Sequence, residues 1–201
     1  MPTIAVLDYG SGNLHSVSRA LAHVGGEPVV TGEPDVATVA DALVIPGVGH
    51  FGHCVRAIRA GGLDRAVAAF VGTGRPVVGV CVGMQVLFER SEEDPVVGLG
   101  ILPGGSRRLP ADVKVPHIGW NQVGWRRPHP YVAGIPDGSR FYFVHSYAPD
   151  ATDDTVGVAD HGRPFAAVAA RDNVFATQFH PEKSGEAGLA LYANFVRSVA
   201  A

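Results

Sequence analysis

The sequence contains few cysteines, few charged residues and no long apolar run. Only two cysteines occur in 201 residues, Cys54 and Cys81, which excludes a disulfide scaffold and any four-cysteine zinc module. No apolar run approaches the roughly 20 residues of a membrane span, and the first residues lack the basic segment of a signal peptide. We therefore expect a reduced, cytoplasmic protein that has no membrane partner.

The charges are nearly balanced, with 16 Lys plus Arg against 19 Asp plus Glu and a net charge of −3. This balance forces no positive face, so we do not expect nucleic acid or anionic lipid as a partner. Apolar residues make up 46% of the chain, which argues for a packed core and against disorder. The length and the absence of linkers and repeats predict one domain over residues 1–201.

Short apolar, β-branched runs alternate with helical patterns in the first half of the chain. The patterns predict strands at 4–7, 28–30, 42–45 and 76–80, and helices at 14–24, 54–70 (broken near 61–62) and 82–89. This alternation predicts a parallel sheet with helices on both faces.

The second half has little helical periodicity until its last segment. It predicts antiparallel strands and hairpins at 120–125, 141–147, 155–159, 165–171 and 174–179, and then a helix at 185–199. The fold class predicted is α/β, with a mixed, mostly parallel central sheet, helices on both faces and an antiparallel extension in the C-terminal half.

Cys81 lies where a buried strand is predicted to turn into a helix. Gly79 and Gly83 flank it at a distance of two residues, the spacing of the nucleophile elbow in serine hydrolases. Bulky residues at these two positions would clash in so sharp a turn, and the N-terminus of the following helix favours the thiolate. The motif alone fits a reactive thiol and a buried structural cysteine equally well.

His180 and Glu182 are separated by Pro181, which restricts the backbone on both sides. In an extended segment, residues two apart face the same way, so imidazole and carboxylate can lie side by side. A carboxylate on one ring nitrogen leaves the other free to take a nucleophile's proton. The alternative is an exposed turn after the preceding strand, which explains the proline but predicts neither His nor Glu.

Pro46-Gly47-Val48-Gly49 follows another predicted strand. Its glycines allow backbone N–H groups to approach a ligand closely, and they let a peptide plane turn over at low cost. Such N–H groups could stabilise an oxyanion, although Pro-Gly after a strand is commonly only a turn.

These motifs, in this order and chain length, resemble the class I (triad-type) glutamine amidotransferases. Longer segments resemble one branch of them, the glutaminase subunits of imidazole glycerol phosphate synthase in histidine biosynthesis. The segments are residues 8–13 with Ser16, 46–49, 79–85, 116–121, 143–147 and 178–184. The resemblance implies a flavodoxin-like fold and covers residues 8 to 184. Val82 departs from the leucine frequent in the class, at a position expected to act through its backbone.

The resemblance implies a Cys-His-Glu triad of Cys81, His180 and Glu182. Cys81 would attack the side-chain amide of glutamine, and a γ-glutamyl thioester would form and be hydrolysed to glutamate. The backbone N–H of Val82 and one from the Val48–Gly49 turn would hold the oxyanion. Residues expected to bind glutamine are Gly47, Gln85, Ser146 and Tyr147.

The resemblance also implies a heterodimer with a (β/α)8-barrel cyclase that uses the ammonia to make imidazole glycerol phosphate and an aminoimidazole carboxamide nucleotide. Residues expected near this partner are Gly10, Gly12, Asn13, Trp120, Asn121 and Lys183. We further hypothesise that the Val48–Gly49 peptide is misoriented in the isolated subunit. The alternatives are a glutaminase subunit of another synthase, of the pyridoxal phosphate or anthranilate type, and a non-catalytic binding module of this fold.

We expect no cofactor and no metal. His50 and His53 have the spacing of a metal-binding pair, with Cys54 next to them, but no further ligand cluster fits. Cys54 is expected to be a small core residue. Gly10-Ser11-Gly12 could hold a phosphate, but His15 occupies the third glycine position of the dinucleotide fingerprint.

Overall fold

The computed structural model describes residues 1–200. Its strands are β1 (Thr3–Leu7), β2 (Glu27–Thr31), β3 (Ala42–Gly47), β4 (Val77–Cys81), β5 (Phe88–Ser91), β6 (Leu102–Arg108), β7 (His117–Trp125), β8 (Ser139–His145), β9 (Tyr147–Pro149), β10 (Thr155–Asp160), β11 (Pro164–Arg171) and β12 (Val174–Thr177). Its α-helices are α1 (Leu14–His23), α2 (Pro34–Val39), α3 (Phe51–Ala60), α4 (Leu63–Gly72), α5 (Val82–Gln85) and α6 (Gly185–Val199), and 3-10 turns cover Pro130–Val132 and Pro181–Lys183.

Nine strands form one mixed sheet in the order β2-β1-β3-β4-β12-β11-β10-β7-β8. The pairings from β2 through β12 are parallel, and those from β12 through β8 are antiparallel. Every residue of β3, β4 and β12 is buried, as expected for parallel strands covered on both faces. The predicted mixed α/β fold is confirmed.

The register of the central strands places three distant motifs at one edge of the sheet. Gly47 at the end of β3 pairs with Cys81 at the end of β4. Thr177 at the end of β12 pairs with Val80. Because parallel strands end at the same edge, the segments after β3, β4 and β12 meet there, which is where ligands bind in open α/β sheets.

The predicted helix over 82–89 is wrong in its second half. The helix α5 ends at Gln85, and Phe88–Ser91 forms β5, which pairs in parallel with β6. β6 was not predicted, since Gly104 and Gly105 weaken its strand signal. A short apolar run such as 86–88 fits helix and strand equally well by periodicity, so the pairing with β6 decides its conformation.

Besides the predicted central sheet, β5, β6 and β9 form a second, three-stranded sheet that the sequence did not indicate. The predicted strand over 141–147 divides at Ser146 into β8, in the large sheet, and β9, in the small one. The other predicted strands and helices are present, with ends shifted by a few residues, and α6 has the predicted bounds. Within residues 1–200, no helix has the length and apolarity to cross a bilayer.

Candidate active site

Cys81 has a backbone conformation that residues other than glycine rarely adopt. It has a φ of 56° and a ψ of −113°, and it is the last residue of β4, immediately before α5. Such a conformation is strained and persists only when the surrounding packing enforces it. The thiol is thereby held at the N-terminal end of α5, at the edge where β3, β4 and β12 end.

The glycines around Cys81 are required by close packing, as the sequence predicted. A Cβ on Gly83 would lie 1.8 Å from the carbonyl oxygen of Ile45, and a Cβ on Gly79 would lie 2.8 Å from the carbonyl oxygen of Gly83. Gly47 is equally constrained, since its Cβ would lie 2.5 Å from the backbone nitrogen of Gly83. Gly47 therefore packs against the elbow.

His180 and Glu182 are in direct contact, as predicted. Nδ1 of His180 lies 2.7 Å from Oε1 of Glu182, and both side chains are almost fully buried. The contact forms because His180 is extended and Pro181–Lys183 then makes a 3-10 turn, rather than through a continuous extended segment. Because a carboxylate only accepts, Nδ1 of His180 carries the proton donated to Glu182.

The other ring nitrogen of His180, Nε2, is buried and has no aligned hydrogen-bond partner among residues 1–200. His180 and Cys81 line the same cavity, which has a volume of about 300 Å³. Burial alone would lower the pKa of His180, but the neighbouring Cys81 and Glu182 outweigh it and raise the pKa to about 10. The thiol and the imidazole share this cavity but are not aligned for a hydrogen bond.

The raised pKa of His180 predicts that the contribution of this residue to the free energy of unfolding is lost at high pH. The stabilisation from its protonated ring is complete below the unfolded pKa of about 6.5 and is lost as the pH rises through about 10. Urea unfolding of the wild type and His180→Gln from pH 6 to 10.5 measures this effect. The difference in free energy of unfolding should shrink across that range, and a constant difference would contradict the assignment.

The turn after β3 contributes to the same cavity. The cavity is lined by Val48, Gly49, Cys81, Val82, Gln85, Glu93, Val144, His145, Tyr147, His180 and Lys183. Gly49 has a φ of 87°. The carbonyl of Val48 accepts two hydrogen bonds, one from Oγ of Ser11 at 2.7 Å and one from Sγ of Cys54 at 3.5 Å. These contacts set the orientation of the Val48–Gly49 peptide in the structure. Cys54 is fully buried, which confirms it as a core residue.

Among the residues predicted to bind glutamine, Gln85 and Tyr147 line the cavity. Gly47 and Ser146 are not among the residues within 1–200 that line it. Nε2 of Gln85 donates to the carbonyl of Tyr147 at 2.9 Å and to Oε1 of Gln178 at 3.0 Å. The carbonyl of Ser146 accepts from the backbone of Leu109. The residues on both sides of Ser146, His145 and Tyr147, do line the cavity.

Sequence reasoning assigned no role to four residues of this region. Val144, His145 and Gln178 lie in segments that carry the resemblance, so a signal for them existed. Glu93 follows β5, which was predicted to be the end of a helix, and no local pattern indicated that it would reach the cavity. Its carboxylate accepts a hydrogen bond from the backbone of Phe51.

A buried chain of polar side chains leads away from the cavity. His145 donates from Nδ1 to the carbonyl of Tyr147 at 2.9 Å, which leaves its Nε2 to accept from Nδ1 of His117 at 3.0 Å. Nε2 of His117 then accepts from the amide of Asn121 at 3.3 Å. Both rings are neutral in this arrangement. Burial, with a smaller contribution from His161, lowers the pKa of His117 to about 4, and burial, followed by His117, lowers that of His145 to about 3.

This neutral histidine pair predicts a loss of stability in acid. Its contribution is complete above the unfolded pKa of about 6.5 and is lost as the pH falls through about 4 and then 3, because the unfolded chain binds the protons first. Urea unfolding between pH 7.5 and 4.5 measures how steeply the free energy of unfolding falls with pH. In His145→Gln this slope should be smaller than in the wild type by up to the contribution of one bound proton. His15→Gln, at an exposed histidine, should retain the wild-type slope.

The residues expected near a partner lie in different environments, and among them Lys183 lines the cavity. Gly10 and Lys183 are exposed, and Trp120 is 54% exposed with its ring against that of Tyr142. Asn13 and Asn121 are partly buried and use their amides internally. Asn13 donates to Oε1 of Glu182 at 3.3 Å, while Asn121 donates to Asp160 and approaches His117. Gly12 is partly buried against Pro46.

The chain is similar over nearly its whole length to proteins of known family. It is 48% identical to the imidazole glycerol phosphate synthase subunit HisH of Aromatoleum aromaticum over 98% of each chain. It is 49% identical to the HisH subunit of Thiobacillus denitrificans, over 96% of this chain and 90% of that protein. A solved structure of PurLQS from Thermotoga maritima shares the fold, with a TM-score of 0.78, 20% identity and 98% of each chain covered.

The profile of the family "Glutamine amidotransferase class-I" matches residues 5–199. This range begins within β1 and ends with the last residue of α6, so it contains all three segments that meet at the cavity. The match therefore includes the whole site as well as the fold around it. The chain belongs to the class-I glutamine amidotransferase family.

Proposed function

We propose that this chain is the glutaminase subunit of an imidazole glycerol phosphate synthase and supplies ammonia for histidine biosynthesis. The observation that carries the proposal is the 48% identity to a HisH subunit over 98% of both chains. Solved structures at 20% identity or below support the fold alone. The relatives therefore favour this synthase over those of the pyridoxal phosphate or anthranilate type, and the contact between His180 and Glu182 favours an enzyme over a binding module.

In the proposed reaction, Sγ of Cys81 attacks the side-chain carbonyl carbon of glutamine. His180 already holds the thiol proton on Nε2 at neutral pH, as its raised pKa implies, and Glu182 on Nδ1 stabilises this imidazolium. The carbon–nitrogen bond then breaks, and His180 returns the proton to the leaving amide nitrogen, which departs as ammonia. A γ-glutamyl thioester remains on Cys81.

Water completes the cycle. His180 takes a proton from a water molecule, the oxygen attacks the thioester carbon, and the carbon–sulfur bond breaks to release glutamate and restore the thiol. In both halves a negative charge develops on the carbonyl oxygen. The backbone N–H of Val82, at the start of α5, and an N–H of the Val48–Gly49 turn are the donors we assign to it.

The ammonia requires a second subunit to use it. In open water ammonia is protonated and no longer a nucleophile, and the small cavity leaves no room for a nucleotide acceptor beside glutamine. We assign the acceptor reaction to a (β/α)8-barrel cyclase that covers the cavity mouth. Exposed apolar side chains near this face suit a protein partner, with Ile118 57% and Trp120 54% exposed.

Glutamate release with and without this cyclase and its nucleotide ligand tests the proposal. The expected result is slow release by the isolated chain and a large increase when the barrel subunit and nucleotide are present. If the acceptor subunit of a different synthase stimulated glutamate release instead, the chain would be the glutaminase subunit of that synthase. No release under any of these conditions would favour a non-catalytic module.

A further inference from the structure

Gln178 is a buried side chain that the proposed mechanism leaves without a role. It follows β12 directly, is completely buried, and lies between Gln85 and Cys81. Its Oε1 accepts from Nε2 of Gln85 at 3.0 Å, and its Nε2 lies 3.7 Å from Sγ of Cys81. An amide that contacts the sulfur atom directly can influence its ionisation.

The orientation of this amide is determined by a backbone carbonyl. The oxygen of Tyr147 can only accept, so the atom of Gln85 that faces it at 2.9 Å must be the amide nitrogen. The same nitrogen faces Gln178 and must meet an oxygen there, because two amide nitrogens would repel each other. Gln178 therefore turns its NH2 group towards Cys81.

His145 supports this orientation from the other side. Its Nδ1 donates to the same Tyr147 carbonyl at 2.9 Å, and its Nε2 is occupied by His117. The carbonyl is thus held between two donors in the interior, where an unpaired polar group would be costly. The hydrogen-bond chain makes a flipped Gln178 amide unfavourable, since flipping would place oxygen against sulfur and nitrogen against nitrogen.

We propose that Gln178 is a further catalytic residue, whose side-chain N–H donates a hydrogen bond to Sγ of Cys81 and stabilises it as the attacking thiolate. The inference rests on the proposed function. The neutral thiol has an acceptor in the carbonyl of Val144 at 3.8 Å, but an ionised sulfur cannot donate to it. The N–H of Gln178 then serves the thiolate, and hydrogen bonds to a charged atom are roughly twice as strong as neutral ones.

The charged and titratable groups around the sulfur define the background for a test. His180 faces Cys81 across the cavity, and Glu93 and Lys183 lie in the same wall. Cys54 and Tyr9 are buried on the other side of the turn after β3. None of these charged and titratable groups is altered when Gln178 is replaced, so a change in thiol reactivity reports the loss of the Gln178 amide.

Gln178→Met removes the N–H donor to Cys81, together with the Oε1 acceptor for Gln85, at similar volume and tests the proposal. The rate of Cys81 alkylation by iodoacetamide, followed by mass spectrometry of the Cys81 peptide, should fall about 10- to 100-fold at neutral pH and recover at higher pH. In the complex with the cyclase, kcat for glutamine hydrolysis should fall by a similar factor while KM changes less than about threefold. Alkylation of Cys81 requires no glutaminase activity. Its rate therefore tests the contact between Gln178 and Cys81 even if the chain proves not to hydrolyse glutamine.

Two further variants complete the experiment. Thr177→Val, at the residue before Gln178, is the matched control. It removes a buried hydrogen bond to the carbonyl of Phe179 and leaves the contacts of Cys81 unchanged. It should react with iodoacetamide at the wild-type rate. Gln178→Glu keeps the size of the side chain and places a carboxylate against the sulfur. It should slow alkylation at least as much as Gln178→Met, and it replaces that variant in the experiment if Gln178→Met does not fold. Wild-type reactivity in a folded Gln178 variant, or equal slowing in Thr177→Val, would overturn the proposal.

Discussion

Cys81→Ser is expected to abolish synthesis from glutamine in the complex with the cyclase while leaving synthesis from added ammonium salt intact. Serine keeps the shape of the side chain and fits the strained turn, but its hydroxyl ionises far less readily than a thiol at neutral pH. The loss should exceed about a thousandfold, as for other nucleophile replacements. Product formation from each nitrogen source, measured side by side, gives the result.

The ammonium-dependent reaction is the internal control for this variant. It requires a folded, correctly docked chain but no nucleophile on it, so it separates chemistry from assembly. Loss of both reactions would mean that the substitution damages folding or docking. Retention of the glutamine-dependent reaction would remove Cys81 from the proposed mechanism.

Gly83→Ala is expected to destabilise the elbow severely. The new Cβ would lie 1.8 Å from the carbonyl oxygen of Ile45, a backbone atom of β3 that cannot move without disturbing the buried sheet. We expect a loss of about 3 kcal/mol or more in free energy of unfolding, and no glutamine hydrolysis by the molecules that remain folded. Urea unfolding and glutamate release measure the two effects.

Gly72→Ala provides the matched control at the last residue of α4. A Cβ there meets no atom within 4 Å, and the residue does not need a positive φ. Alanine should stabilise the protein by about 0.4–1 kcal/mol by reducing the entropy of the unfolded chain. If both glycine variants behaved alike, close packing at Gly83 would not be the cause of the effect.

The parts of the site that could be predicted are those determined by neighbouring residues. The glycines beside Cys81 follow from the sterics of a sharp strand-to-helix turn, and the structure confirms the crowding. The contact between His180 and Glu182 follows from their spacing across Pro181, although a 3-10 turn rather than an extended segment completes it. The alternation of strands and helices likewise indicated a parallel sheet in the first half.

The parts that could not be predicted depend on residues far apart in the chain. Residues 88–91 became a strand because β6 pairs with them, and Glu93 reaches the cavity as a result. Asn121, expected on the partner face, directs its amide to His117 and Asp160 inside the protein. A single sequence carries no signal for such pairings, since each depends on the geometry of elements that have not yet packed.

The sequence by itself determined the family, the mixed α/β architecture and the local form of each motif, because turn sterics, proline and apolar periodicity act over a few residues. Only the tertiary structure decided which side chains surround the sulfur. Gln178 contacts Cys81 across 97 residues and Gln85 across 93, and both contacts exist because β12 pairs in parallel with β4. The alignment of those two strands, set by burial of their apolar residues on both faces, is the physical reason that the site forms.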